Sequence, residues 1–185
     1  AVFAPLAAAQ QSLLDNYSPV SLEELANPPE GDWLMWRRTA NHWGYSPLDQ
    51  INKGNVADLR LAWAWTMEPG KQETTPLVHD SVMFLPQACD FIEAVDATDG
   101  TPLWEYRRAT VDHVAPLSCA NRNATLYKDQ LIIATRDAYI VSLNATSGEL
   151  TWERQIGDWT VGQHYSGGPQ VFDGKAITGM SGCYY

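Results

Sequence analysis

The 185 residues are 45% hydrophobic and 18% charged, the balance of a globular rather than a disordered chain, with enough length for a good core. Twelve Lys and Arg stand against 22 Asp and Glu, a net charge of −10. That excludes a nucleic-acid surface, which needs clustered cations, and no apolar run approaches the ~20 residues of a membrane span.

The first residues, AVFAPLAAAQQ, are small, apolar and uncharged. They read either as the tail of a secretory signal, with Ala-Ala-Ala before Gln10 as the cleavage region, or as a short disordered tail. Residues 1–29 are thus a signal remnant and lead-in, and 30–185 form the folded part. Ser21 with Glu24 fits a capping box that opens a short helix, which the prolines at 28 and 29 end. Trp33 to Trp36 read as a buried strand, Asn41 to Ser46 as a loop and Asn55 to Leu59 as a helical turn. Leu61 to Met67 read as a strand with Trp63 and Trp65 on one face.

From residue 76 the pattern becomes short strands between turns. Strands are expected at Pro76–Val78, Val82–Leu85, Phe91–Val95 and Leu103–Arg107. A second round follows at Ala124–Tyr127, Leu131–Thr135, Tyr139–Leu143 and Leu150–Arg154, and a third opens at Pro169–Phe172 and Lys175–Gly179. The segment AVDATDGTPLW (94–104) returns 48 residues later as SLNATSGELTW (142–152). Four short antiparallel strands repeating at this period are a β-propeller blade, so the fold class is all-β. Within the turn, Asp96 and Asn144 cap with their side chains, and Gly100 and Gly148 supply a positive φ. Trp104 and Trp152 pack against the neighbouring blade, with an indole N–H that needs a backbone carbonyl there. The chain holds two full blades and half a third, too few to close a propeller. It therefore reads as a fragment of a larger propeller or one piece of a cleaved chain, and the strand near Trp33 as part of an incomplete blade.

Three cysteines, Cys89, Cys119 and Cys183, are too few for a disulfide scaffold or a zinc site; they leave room for one bridge and a leftover thiol in an oxidising compartment. His42, His79, His113 and His164 do not pair at metal-ligand spacing and read as turn or surface residues.

With the turns in hand, the chain resembles the pyrroloquinoline-quinone (PQQ) dependent alcohol dehydrogenases. The resemblance is carried by W-x-x-x-R-R-x-x-x-x-x-W-x-Y-S-P-L-D-Q-I-N (Trp33 to Asn52), N-V-x-D-L-x-x-A-W (Asn55 to Trp63) and A-x-[DN]-A-T-x-G-x-x-x-W. The segment from Asp173-Gly174-Lys175 to Ser181-Gly182 agrees as well. The family's fold is an eight-bladed propeller considerably longer than this chain, with the quinone near the central axis beside a calcium or lanthanide ion. By this resemblance Glu73 stands at the cofactor rim, Arg122 approaches the quinone carboxylates, and the Ser166 hydroxyl bonds the cofactor. Ser181 and Gly182 form a turn lining the quinone. Cys119 stands where the family often has two adjacent, disulfide-linked cysteines. With one cysteine that ring cannot form, leaving a free thiol or a bridge to Cys89. Tyr184 stands where the family supplies a glutamate to the metal, and a neutral phenol is a poor ligand for a hard cation. These departures bring the chain nearer to quinoproteins acting on bulky compounds.

The implied protein is a periplasmic oxidoreductase acting on small-molecule alcohols, passing electrons to an acceptor such as a cytochrome c, with a haem c domain possible downstream. Its catalytic base and metal ligands are expected beyond residue 185, so no catalytic residue is assigned. The rival expectation is a non-catalytic propeller that binds protein partners.

Overall fold

The computed structural model describes residues 12–109 and 119–181. The N-terminal tail, His113, Gly182, Cys183 and Tyr184 lie outside the described residues.

Among the described residues, ten strands form three sheets. β1 (Leu77–His79), β2 (Val82–Pro86), β3 (Phe91–Asp96) and β4 (Pro102–Arg107) make one antiparallel sheet in chain order. β5 (Thr125–Tyr127), β6 (Gln130–Ala134), β7 (Tyr139–Asn144) and β8 (Leu150–Gln155) make a second, and β9 (Gln170–Phe172) with β10 (Lys175–Ile177) a two-stranded third. Each expected strand from residue 76 onward is present within two residues of its bounds. A 3-10 turn at Trp159–Val161, which the sequence reading lacked, joins the second sheet to the third.

The joint between blades is built from the repeated turn. Asp96 Oδ1 accepts from Thr98 N at 2.8 Å and Asn144 Oδ1 from Thr146 N at 2.9 Å, while Gly100 and Gly148 take φ of 78° and 72°. Trp104 Nε1 donates to the Ala145 carbonyl of the next blade at 3.0 Å. Its indole lies on Gly148, where a Cβ would come within 2.5 Å of Trp104 Cε3. Trp63 repeats the arrangement one step earlier: Nε1 donates to Ala97 O at 3.2 Å and the ring covers Gly100. The register slips at Ala94/Val95 and again at Ser142/Leu143, leaving one extra residue just before each tryptophan. Such a bulge bends the strand and re-aims the side chain that follows. Arg108 adds a polar clamp across the same joint, its guanidinium reaching Asp137 at 2.8 Å and Glu153 at 2.7 Å.

The lead-in corrects two expectations. Trp33 to Trp36 form no strand of a further blade; Trp33 makes a single bridge to Val78. Leu61 to Met67 join no sheet, yet both indoles reach the first blade, Trp63 Nε1 at Ala97 O and Trp65 Nε1 at Glu93 Oε2, 2.9 Å away. The lead-in instead lies along the free edges of β1 and β5. Trp33 and Val78 exchange both backbone bonds (2.8 and 3.0 Å), Leu126 N donates to Leu34 O (2.9 Å), and Val20 and Lys128 pair (2.9 and 2.6 Å). Backbone groups that a bare edge would leave open are thereby paired. The helix Leu22–Ala26, with its capping box formed by Ser21 and Glu24, sets Leu25 into the core. Val20, Leu25, Leu34 and Met35 share one apolar cluster with Phe84, Ile92, Leu126, Leu131, Ile133 and Leu143. Arg38 fastens the following loop, donating to the carbonyls of Pro28, Pro29 and Asp32 at 3.0–3.2 Å.

His79 is likewise no surface histidine. It is 2% exposed, and its ring joins lead-in to blade: Nδ1 donates to Asp32 Oδ2 at 2.6 Å and Nε2 lies 2.9 Å from Ser18 O, with Tyr17 edge-on at 5.0 Å. Replacing Asp32 with alanine leaves a buried ring donor unpaired. It is expected to cost about 2 kcal/mol in urea unfolding.

Candidate functional site

Three successive blades bring their first strands together at one end, and the residues just before those strands meet there. Thr75 N donates to Arg122 O at 2.9 Å, and Arg122 N to Ser166 O at 3.0 Å. This ladder of single bonds puts three side chains in one group. Arg122 Nε lies 2.7 Å from Glu73 Oε2, and Arg122 Nη1 donates to Ser166 Oγ. Lys71 Nζ takes the other Glu73 oxygen at 2.5 Å. A hydrogen bond from Lys71, helped by the charge of Arg122, holds the Glu73 carboxyl below the usual range. The pair is therefore intact at neutral pH and weakens only as pH falls through that depressed value.

Behind the ladder is a cavity of about 530 Å³ lined by Trp36, Arg122, Asn123, Gly168, Gln170 and Thr178. Gly168 is needed here: its N–H donates to Asn123 Oδ1 at 2.8 Å, and a Cβ would strike the Asn123 carbonyl. The Arg122 side chain is 45% exposed although two partners fix it. Thr74 Oγ1, Asn121 Oδ1 and Thr178 Oγ1 are buried with no hydrogen-bond partner among the described residues. Of these, Thr178 lines the cavity, and a fixed guanidinium with an unsatisfied hydroxyl beside it suits a planar ligand bearing carboxylates. Among the described residues no group of three His, Cys, Asp or Glu could hold a metal ion.

The other expected residues lie near but apart. Ser181 exchanges backbone bonds with His164 at 3.2 and 2.9 Å, outside the Arg122 group. Cys119, three residues before Arg122, is not a free thiol; it is bonded to Cys89, with Cα atoms 4.3 Å apart. The adjoining Asp90 is 3% exposed, and burial pushes its carboxyl up to about 6 despite bonds from Arg136 N (3.0 Å) and Asn121 Nδ2 (3.2 Å). Sequence reasoning passed over Trp36, Asn123 and Gln170. The one available hint was the crowding of Trp36, Arg37 and His42: the Arg37 guanidinium lies 4.7 Å from the Trp36 ring and the His42 ring meets that indole edge-on at 5.1 Å.

Asp90 yields a pH prediction. Because its carboxyl is raised in the folded state, folding favours the protonated form between the unfolded value near 4 and about 6. Stability contributed by this group is full below pH 4 and is lost as pH climbs to about 6. Asp90→Asn should flatten that decline, which for the wild type is on the order of 3 kcal/mol, in chemical unfolding measured from pH 4 to 7.

Comparison with known proteins adds to this geometry. A family model described as glucose/ethanol/alcohol dehydrogenase, β-propeller domain (PQQ), matches residues 33–165. The quinoprotein alcohol dehydrogenase PedH of Pseudomonas putida is 34% identical over 172 residues, covering 90% of this chain and 29% of that protein. Among solved structures, the quinohemoprotein alcohol dehydrogenase ADHIIG of Pseudomonas putida superimposes with a TM-score of 0.84 at 28% identity, over 90% of this chain and 25% of the other. A europium-containing methanol dehydrogenase does so with a TM-score of 0.80 at 29% identity, over 86% of this chain and 29% of the other. The chain spans less than a third of the length of these relatives.

Proposed function

Since this chain belongs to the PQQ-dependent alcohol dehydrogenase β-propeller family, we propose that it is the N-terminal portion of a periplasmic oxidoreductase that oxidises alcohols, bulky ones included, with PQQ. The observation that carries the reading is the meeting of Glu73, Arg122 and Ser166 from three blades beside one cavity.

In this reading the Arg122 fork pairs with a ring carboxylate of the quinone, and Glu73 keeps the guanidinium aimed while lending no proton itself. The Ser166 hydroxyl turns from Arg122 to the ligand, and Thr178 Oγ1 gains the partner it lacks. The quinone, when bound, would supply the two-electron acceptor for the alcohol. A calcium or lanthanide ion and a haem c belong to the proposal for the full-length protein. The names of the europium-containing and quinohemoprotein relatives support them. An alcohol substrate and an acceptor such as a cytochrome c complete it. The Cys89–Cys119 disulfide and the apolar, alanine-rich N-terminus support an oxidising, exported location.

The test is direct. Full-length protein is mixed with PQQ and calcium or a lanthanide, and dye reduction is followed with a series of alcohols. Substrate-dependent reduction is expected. No reduction, with no quinone absorbance surviving desalting, would sink the proposal.

A further inference from the structure

The Cys89–Cys119 bond joins two blades at the residue run that ends in Arg122. On the first blade, Cys89 and Asp90 lie between β2 and β3, and both hold left-handed backbone, φ 62° and 58°. On the second, Cys119 to Asn121 run directly into Arg122. Three links fix these runs in register: the disulfide, Cys89 N to Cys119 O at 2.6 Å, and Asn121 Nδ2 to Asp90 Oδ1 at 3.2 Å. Beyond them, Arg122 is tied among the described residues through the two single backbone bonds to Thr75 and Ser166 and through its side-chain partners. The disulfide is thus the one covalent element fixing where the guanidinium stands, and two consecutive left-handed non-glycine residues are strain that something must hold.

We propose that the Cys89–Cys119 disulfide is the positioning element for Arg122, so that the affinity of this site for a carboxylate ligand depends on the oxidation state of that bond. The proposal rests on the quinone reading for its ligand.

The surroundings suit a bond that opens as well as closes. Both cysteines are half-buried, and Arg136 Nη1 lies 3.0 Å from Cys119 Sγ. A cation beside sulfur favours the thiolate and makes that sulfur the better leaving group. A dithiol reductant would attack Cys89 Sγ as a thiolate, forming a mixed disulfide and expelling Cys119 as a thiolate against Arg136. Its second thiol then displaces Cys89. The protein disulfide gains two electrons and two protons, and the dithiol becomes a cyclic disulfide. With the bond open, the strained Cys89–Asp90 turn is free to relax and carries Asn121 and Arg122 with it.

The experiment uses full-length protein and PQQ as the probe, with affinity read by tryptophan quenching. Serine at both cysteine positions (Cys89→Ser with Cys119→Ser) avoids reaction of thiols with the quinone, and is expected to bind at least ten-fold more weakly. The same pair of substitutions placed on Arg122→Ala should change affinity by less than two-fold, since the residue being positioned is gone. Unchanged affinity, or an equal loss in both backgrounds, overturns the proposal. A separate readout needs no quinone and no variant. Dithiothreitol-reduced wild type should react with phenylglyoxal at Arg122 at least five-fold faster than oxidised protein, followed by peptide mass spectrometry, and an equal rate overturns the proposal. If oxidised wild type binds no PQQ, the quinone reading falls, and the phenylglyoxal rate alone decides the role of the disulfide.

Discussion

Replacing Gly148 with alanine is expected to destabilise the protein by about 3 kcal/mol. Two costs add. Alanine at φ 72° sits in the left-handed region, at about 1 kcal/mol relative to glycine. The new Cβ would also stand 2.5 Å from Trp104 Cε3 and 2.8 Å from Cδ2, so the indole must back away. That movement stretches the bond from Trp104 Nε1 to Ala145 O and opens the packing of Trp104 on Phe84, whose ring centroids are 5.9 Å apart. Overpacking of this kind costs about 1–3 kcal/mol. Gly167 is the control: nothing lies within 4 Å of a Cβ there and its φ is not positive, so Gly167→Ala should change stability by less than about 0.5 kcal/mol. Urea titration of both variants decides the matter. A Gly148→Ala midpoint equal to wild type would mean that the tryptophan does not set the spacing of the blades.

The second large effect concerns ligand affinity. Arg122→Ala removes a fork held at 2.7 Å by Glu73 and bonded to Ser166, and should weaken PQQ binding by roughly 100-fold, on the order of 3 kcal/mol. Arg122→Lys should recover only part, because an ammonium offers a point charge in place of a planar pair of donors. Fold stability should fall little in either variant: the side chain is 45% exposed, and Glu73 keeps Lys71 as a partner. Equilibrium binding by fluorescence quenching reads the affinity and circular dichroism the fold. Equal affinity in wild type and Arg122→Ala would move the quinone site elsewhere.

How far the sequence could be read follows from where each interaction closes. The blade turns were legible because everything in them is local: Asp96 and Asn144 bond two residues ahead, and the glycines answer to their own φ. The acceptor of the Trp104 indole could be expected in kind, as a carbonyl of the next repeat. Trp63 was not recognised as belonging to the same series, because its indole reaches across 34 residues where that of Trp104 reaches across 41. The bulges that aim the tryptophans leave no mark in composition. The lead-in was misread for a plainer reason: an apolar run such as Trp33 to Trp36 reads the same whether it joins a strand or caps two of them. His79 read as a turn or surface residue because its partners, Ser18 and Asp32, lie 61 and 47 positions away.

The site is the extreme case. Glu73, Arg122 and Ser166 each sit in an unremarkable loop, and no spacing rule links them, since each blade contributes one. They came forward only through resemblance to a family, and the fold then set the three within hydrogen-bonding reach of one another. Whether Cys119 was free or bridged to Cys89 could not be decided from three scattered cysteines. The register of the two blades supplies the answer.

The edge-covering lead-in has a bearing on how the chain is made. Residues 12–42 leave the ribosome well before some of the groups they pair with: Val20 waits for Lys128, and His42 meets Gln170 from 128 positions away. The segment therefore settles long after it emerges. Until β5 and β6 follow, Val20, Leu25, Leu34 and Met35 lack part of the apolar cluster that buries them, so the exposed party in biosynthesis is the lead-in itself, for the time needed to translate about 100 further residues at ~5–20 per second.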